Sequence, residues 1–182
     1  MTKLIILDRD GVINHDSDQF IKSVDEFVLL PNTVKAIVAL KSAGYTVAIA
    51  TNQSGIARGL YTRADLHAMH LKLQTQLHAH AAAVDWVAYS PYLHETPCRK
   101  PNAGMYQSIA WRFGLSSLTN VPVVGDSWRD LQAALSVGAR PVLVKTGKGA
   151  QTAVQQAEVL ANASIAVVED LAAAVESLGV SL

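Results

Sequence analysis

"LIILDRDGVI", residues 4–13, decides the reading of this chain. Four apolar residues, Leu4 to Leu7, run without a polar break into Asp8, Arg9, Asp10 and Gly11. Such a run, lacking the alternation of a half-wet strand, reads as a strand buried on both faces. A buried strand needs only something cheap to solvate at its end. This one ends in two carboxylates two positions apart, which asks for a chemical reason.

Outward from that stretch the elements alternate. "NTVKAIVALKSAG" reads as a helix with Asn32 as candidate N-cap, Val34, Ile37 and Val38 lining one face, and Gly44 as its stop. "YTVAIA" is a second strand running to Thr51. A long helix from Thr62 to about Ala81 opens with Thr62 and Asp65, a near relative of the capping box. His67 and His70 on it are expected on a solvated face. "VDWVAY" is a third strand, "NAGMYQSIAWRFG" a helix, "VPVVG" a fourth strand, "SWRDLQAALSVG" a helix and "PVLV" a fifth strand. A helix near 150–161, a short strand "IAVV" and a final helix follow. Strands and helices in alternation predict an α/β fold with a doubly wound parallel sheet. No linker or repeat divides residues 1–182, so one domain is expected.

Composition narrows the function. The chain has 182 residues, half hydrophobic and 16% charged, which suits a globular core. Fifteen Lys and Arg balance fifteen Asp and Glu, giving a formal net charge of zero. That argues against a dedicated nucleic-acid or anionic-membrane surface. Cys98 is the single cysteine, so no disulfide joins the chain to itself, and a reducing, cytoplasmic setting is expected. The first strand begins at once, with no signal-like segment before it and no apolar run of membrane length.

In open parallel sheets ligands bind at the carboxyl ends of the strands. After the first strand come Asp8 and Asp10, and after the second Thr51, Asn52, Gln53 and Ser54. Across a loop after the third come Arg99 and Lys100, and after the fourth Asp126 and Asp130. The set suits phosphoryl transfer through a covalent intermediate, with a carboxylate as nucleophile. A phosphate monoester of roughly −2 beside ionised Asp8 and Asp126 sums to about −4. One Mg²⁺ on those two carboxylates, with Lys100 and Arg99, brings this to about zero if Asp10 starts protonated, as a general acid must. Thr51 and Asn52 can hydrogen-bond the transferring oxygens, and Gly11 lets the chain turn close to the phosphate.

Asp8-x-Asp10-Gly11, Thr51, Lys100 and Gly125-Asp126-x-x-x-Asp130 resemble, in order, the four motifs of the haloacid dehalogenase superfamily of phosphohydrolases. The resemblance implies that Asp8 is the nucleophile, Asp10 the acid/base, and that Mg²⁺ is held by Asp8, the Asp10 carbonyl and Asp126. Asp130 would stand behind them, holding a metal-bound water or Lys100. "LDRDGVIN", "ATNQSGIARGLYT", "CRKPNAGMY" and "VGDS" narrow the resemblance to the branch of heptose bisphosphate and histidinol-phosphate phosphatases. It implies loss of the 7-phosphate from a heptose 1,7-bisphosphate, with histidinol phosphate and a polynucleotide 3′-phosphate as alternative substrates. Gln53, Ser54 and Arg58 would shape the substrate side, and Asp16, Ser17, Asp18 and Gln19 fall where that branch meets its sugar.

One segment departs from the branch. A zinc loop, Cys-x-His then Cys-x-Cys, usually precedes Arg-Lys-Pro there. Here those places read Ser90-Pro91-Tyr92 and Thr96-Pro97-Cys98. One thiolate is not a four-ligand site, so zinc is not expected. The gaps from Gly11 to Pro31 and from Thr51 to Lys100 leave no room for the lid domain that related phosphatases often insert. The expected partner is a small phosphorylated sugar, with neither nucleic acid nor membrane, acted on by a monomer.

Overall fold

The computed structural model describes residues 3–182. Strands β1 (Lys3–Leu7), β2 (Tyr45–Asn52), β3 (Trp86–Ser90), β4 (Pro122–Gly125), β5 (Arg140–Val144) and β6 (Ala166–Val168) form one sheet. All pairs are parallel, in the order β3-β2-β1-β4-β5-β6. Helices α1 (Thr33–Ser42), α2 (Arg63–His78), α3 (Gly104–Arg112), α4 (Trp128–Leu135), α5 (Gly149–Gln155), α6 (Ala157–Asn162) and α7 (Leu171–Glu176) connect and flank the strands. This is the doubly wound α/β architecture that the alternating pattern predicts.

The first strand explains the two layers. Side chains alternate across a strand, and Ile5 and Leu7 enter a core with Ile37 and Leu40 of α1, Leu66 and Met69 of α2, and Val175 of α7. Leu4 and Ile6 face the opposite core, with Met105 and Ile109 of α3 and Ala133 of α4. All four are at most 2% exposed, so both faces of β1 are dry. Each such burial contributes roughly 1.5–3 kcal/mol, which pins the strand and everything attached to its end.

From β1 the chain winds outward through β2 and β3, then returns to the other flank of β1 with β4. Winding reverses between β1 and β4. Asp8 N–H donates to the Val124 carbonyl at 2.9 Å, so Asp8 leaves β1 beside the end of β4. The crevice at such a reversal is where ligands sit in this class of sheet.

Several local details differ from the sequence reading. Asn32 precedes α1, but its backbone is left-handed (φ 63°) and its side chain makes no cap hydrogen bond. Asparagine tolerates that region, and its role is the turn into the helix. The buried stripe of α1 is Thr33, Ala36, Ile37, Ala39 and Leu40, while Val34 and Val38 are only partly covered. The single helix expected near 150–161 is two, separated at Gln156, and Leu160 is the one buried residue of the second. The bend carries Leu160 into a third cluster with Leu131, Leu143 and Ile165. Helix α2 opens as expected: Thr62 accepts from Asp65 N–H, and Asp65 accepts from Thr62 N–H. A cap of this kind contributes about 1 kcal/mol.

His70 of α2 is not on a solvated face; it is half-buried, and its Nε2 has no described partner. Burial, with the Arg9 charge beside it, lowers its pKa from 6.5 to about 4. The folded protein therefore holds His70 neutral where an unfolded chain would protonate it. Stability contributed this way is full above pH 6.5 and falls as pH drops toward 4. Relative to His70→Leu, the wild type should lose on the order of 1–3 kcal/mol across that window, read by urea unfolding at each pH.

Candidate active site

The ends of β1, β2 and β4, with the loop after β3, meet in a cleft of about 210 Å³. At its floor lies Lys100, 2% exposed. Its Nζ lies 2.9 Å from Asp8 Oδ1 and 2.6 Å from Asp130 Oδ1, and donates to the Ala50 carbonyl at 2.7 Å. Three acceptors match the three protons of an ammonium. Burial works against the charge, but Asp130 and Asp8 overcome it and push the Lys100 pKa up. The loop reaches the floor through Asn52, whose amide donates to the Lys100 carbonyl and accepts from its N–H.

Asp130 is buried in the first turn of α4. Its Oδ2 accepts from Ser127 N–H and Oγ–H at 3.0 and 2.7 Å, and its Oδ1 faces Lys100. Helix capping and the Lys100 ion pair thus occupy both oxygens. Asp8, Asp126 and Asp130 have carboxylate oxygens within 4.8 Å of one another, the only such His/Cys/Asp/Glu group among the described residues. With Asp130 committed, Asp8 and Asp126 are the pair left to take a cation. Burial pushes Asp8 up to about 7, Lys100 opposing and Asp130 adding. Burial, then Asp130 and Asp8, push Asp126 up to about 8. Two largely buried carboxylates that resist ionising together fit a divalent ion, and the Asp10 carbonyl takes no hydrogen bond from any described residue.

Backbone walls Asp126. Gly11 has φ +82°, and a Cβ there would lie 2.1 Å from Asp126 Oδ2; one on Gly147 would lie 2.2 Å from the same oxygen. Lys148 N–H donates to Asp126 Oδ2, Thr152 Oγ to the Asp126 carbonyl, and Thr146 Oγ to the Gly11 carbonyl. The loop after β5 therefore belongs to the site, although the sequence reading stopped at four strand ends. Its Thr-Gly-Lys-Gly run was the available signal.

Arg9 is the other omission. It is fully buried, beside the Phe27 ring at 5.5 Å, and pairs with Asp10 at 2.6 Å. The alternation that sends Ile5 and Leu7 into the α1–α2 core sends Arg9 the same way, so period two could have placed it. Burial alone would raise Asp10, but the Arg9 charge and hydrogen bonds, with Asn14 and Gln53, hold its carboxyl below the usual range. The free site thus keeps Asp10 ionised, where the sequence-based charge sum required it protonated. That sum omitted Arg9. Counting Arg9–Asp10 and Lys100–Asp130 as neutral pairs, a divalent ion offsets Asp8 and Asp126.

Thr51 is 1% exposed and lines the cleft with Asn52, Gln53 and Ser54. The rim carries Asp16, Ser17, Asp18, Arg99 and two residues the sequence reading passed over, Arg129 and Lys148. Lys148 Nζ stands 3.5 Å from Asp16 and 3.3 Å from Asp18, tying the loop after β1 to the loop after β5. Gln19 and Arg58 lie outside the lining; Arg58 sits over the Phe20 ring at 5.8 Å. Arg99 donates to the Tyr92 carbonyl at 2.9 Å. Partial burial and the Arg129 and Arg58 charges press its pKa below the ordinary value. In the loop before it, Asn102 Nδ2 donates to the Thr96 carbonyl and Gly104 N–H to the Pro97 carbonyl. Exposed Cys98 joins no ligand cluster among the described residues.

Known proteins share this arrangement. Residues 3–128 match the family described as Polynucleotide kinase 3 phosphatase, and residues 97–174 match HAD-hyrolase-like. A Pseudomonas putida protein named D-glycero-beta-D-manno-heptose-1,7-bisphosphate 7-phosphatase is 53% identical over 82% of this chain and 86% of its own length. A Bordetella bronchiseptica protein of the same name is 48% identical over 97% of each chain. A crystal structure of D,D-heptose 1,7-bisphosphate phosphatase from B. bronchiseptica, complexed with magnesium and phosphate, superposes with a TM-score of 0.91. It is 48% identical over 97% of this chain and 98% of that one. The strand-end constellation and these likenesses agree, and the chain belongs to the haloacid dehalogenase superfamily of phosphatases.

Proposed function

We propose that this chain is a magnesium-dependent phosphomonoesterase that removes the 7-phosphate of D-glycero-D-manno-heptose 1,7-bisphosphate through an aspartyl-phosphate. The observation that carries the chemistry is the largely buried Asp8–Lys100–Asp126 floor beside Asp10 and Thr51 at the reversal of the sheet. The substrate rests on the names of the relatives and on the cationic rim.

Asp8 Oδ1 is held by Arg9 N–H at 2.7 Å and by Lys100. Its Oδ2 has no described donor, which leaves that oxygen to attack phosphorus. As the new O–P bond forms, the bond to the sugar oxygen breaks and that oxygen takes a proton from Asp10. The dianionic ester raises the proton affinity of Asp10, offsetting Arg9, and Asp10 takes up that proton from solvent as the ester binds. Asp10 then takes a proton from water, which attacks phosphorus and frees Asp8. A magnesium ion held by Asp8, Asp126 and the Asp10 carbonyl would supply Lewis-acid stabilisation of the transferring oxygens. Arg99 and Arg129 at the rim suit the second phosphate of a bisphosphate. Asp16, Ser17 and Asp18 suit sugar hydroxyls, and Ser54 lines the same cleft.

Phosphate release should be compared for the heptose bisphosphate, histidinol phosphate and a 3′-phosphorylated oligonucleotide. The heptose bisphosphate should give the highest kcat/KM and retain its 1-phosphate. Chelator should abolish turnover, Mg²⁺ should restore it, and a folded Asp8→Asn protein should show none. Elemental analysis should find no stoichiometric zinc. A higher kcat/KM for histidinol phosphate would reassign the substrate, and turnover by Asp8→Asn would end the mechanism.

Arg99→Ala should lower kcat/KM for the bisphosphate on the order of tenfold to a hundredfold, the scale of a lost charge-assisted contact. The same variant should change p-nitrophenyl phosphate hydrolysis much less, because that ester has no second phosphate. Equal losses on both would remove Arg99 from the recognition of the second phosphate.

A further inference from the structure

The Asp10 carboxylate sits in a cradle built only of donors. Its Oδ1 accepts from Arg9 Nη2 at 2.6 Å, Arg9 Nε at 3.1 Å and Asn14 Nδ2 at 2.8 Å. Its Oδ2 accepts from Arg9 Nη2 at 2.9 Å and Gln53 Nε2 at 2.8 Å. Arg9 and Asn14 are fully buried and Gln53 is 2% exposed. A buried guanidinium is costly, and an apolar residue in its place, following Leu4 to Leu7, would avoid that cost. The bidentate geometry is what Arg provides and an apolar residue cannot.

Gln53 does more than complete the cradle. Both protons of its Nε2 are used, one on Asp10 Oδ2 and one on Thr51 Oγ1 at 2.8 Å. The Asp10 carboxylate, which can only accept, fixes which end of the amide faces it, and Oε1 at the other end accepts from the Tyr61 hydroxyl at 2.5 Å. Tyr61 in turn is packed against Gly55, where a Cβ would lie 2.1 Å from the ring. Thr51 Oγ1 receives a hydrogen bond from Gln53, so its own hydrogen is free to point into the cleft. That is the polarity an anionic phosphate oxygen needs.

We propose that Arg9 and Gln53 are positioning residues, which hold the Asp10 carboxylate at a fixed place relative to the Thr51 hydroxyl, with Tyr61 anchoring the far end of the Gln53 amide. The inference rests on the phosphatase reading above. Gln53 then serves the reaction through Asp10 and Thr51 rather than through the sugar. One amide nitrogen sets the spacing between the group that moves the proton and the group that grips the phosphate.

The test compares kcat/KM for a sugar phosphate, whose alkoxide must be protonated as it leaves, with that for p-nitrophenyl phosphate, whose phenolate leaves unprotonated. In kcat/KM, which ends at departure of the leaving group and excludes the later attack of water, loss of Thr51 alignment affects both esters; loss of Asp10 alignment affects the sugar ester alone. In Gln53→Leu and Arg9→Lys the ratio of sugar to aryl ester should fall at least tenfold from the wild-type value. In an Asp10→Asn background, adding Gln53→Leu should lower the ratio no further, because the carboxylate it holds is gone. Thermal melting checks that each variant is folded, and Gln53→Leu carries the test if Arg9→Lys does not fold. An unchanged ratio in folded Gln53→Leu, or an equal drop in the Asp10→Asn background, overturns the inference while leaving the phosphatase reading intact. A wild-type protein inactive on both esters removes that reading and this inference together.

Discussion

A single buried ammonium organises the molecule. Lys100 touches the end of β1 through Asp8, the end of β2 through the Ala50 carbonyl, and the start of α4 through Asp130. A charge this dry is tolerated only when all its protons are met. Meeting them fixes the relative positions of three elements that are far apart in sequence. It also requires the loop after β3 to turn inward, which the paired Asn52 contacts secure. Without the ammonium, Asp8 and Asp130 would face each other across a low-dielectric gap.

Beyond that centre the charges sort into two zones. Arg9 with Asp10, and Lys100 with Asp130, are internal pairs that cancel. Asp8 and Asp126 remain as an uncancelled couple, with backbone walling Asp126. At the rim the pairing is looser: Lys148 bridges to Asp16 and Asp18 while half-exposed, and Arg99 sits near Arg129 without a carboxylate. Rim contacts of this kind contribute little to stability. They can therefore be exchanged for ligand contacts without disturbing the floor, where each partner is held by at least one other.

Much of this was written in one dimension. Leu4 to Leu7 announced a strand dry on both faces, and the residues after four strands announced the floor, because both signals are local. Thr62 and Asp65 announced the start of α2 for the same reason. What escaped notice depends on partners distant in sequence. Arg9 carries no local sign of its burial, because Phe27 and Met69, which cover it, arrive only through the fold. Nothing local to Gln53 reveals that the Tyr61 hydroxyl holds the far end of its amide. Asn32 has the chemistry of a cap, but its left-handed backbone gives it a different task. The break at Gln156 follows from where Leu160 must be buried, which no periodicity over twelve residues shows.

The glycine walls around Asp126 have a consequence for how this scaffold can change over time. Side chains are the usual means by which selection reshapes a pocket, and at Gly11 and Gly147 there is no space for one. Steric exclusion closes that route on two sides of Asp126. Variation is directed to the loops that bear Asp16, Arg99 and Lys148, where side chains meet solvent and replacement costs little. New substrates can be acquired by redrawing the mouth of the cleft, while the reaction at its base stays the same.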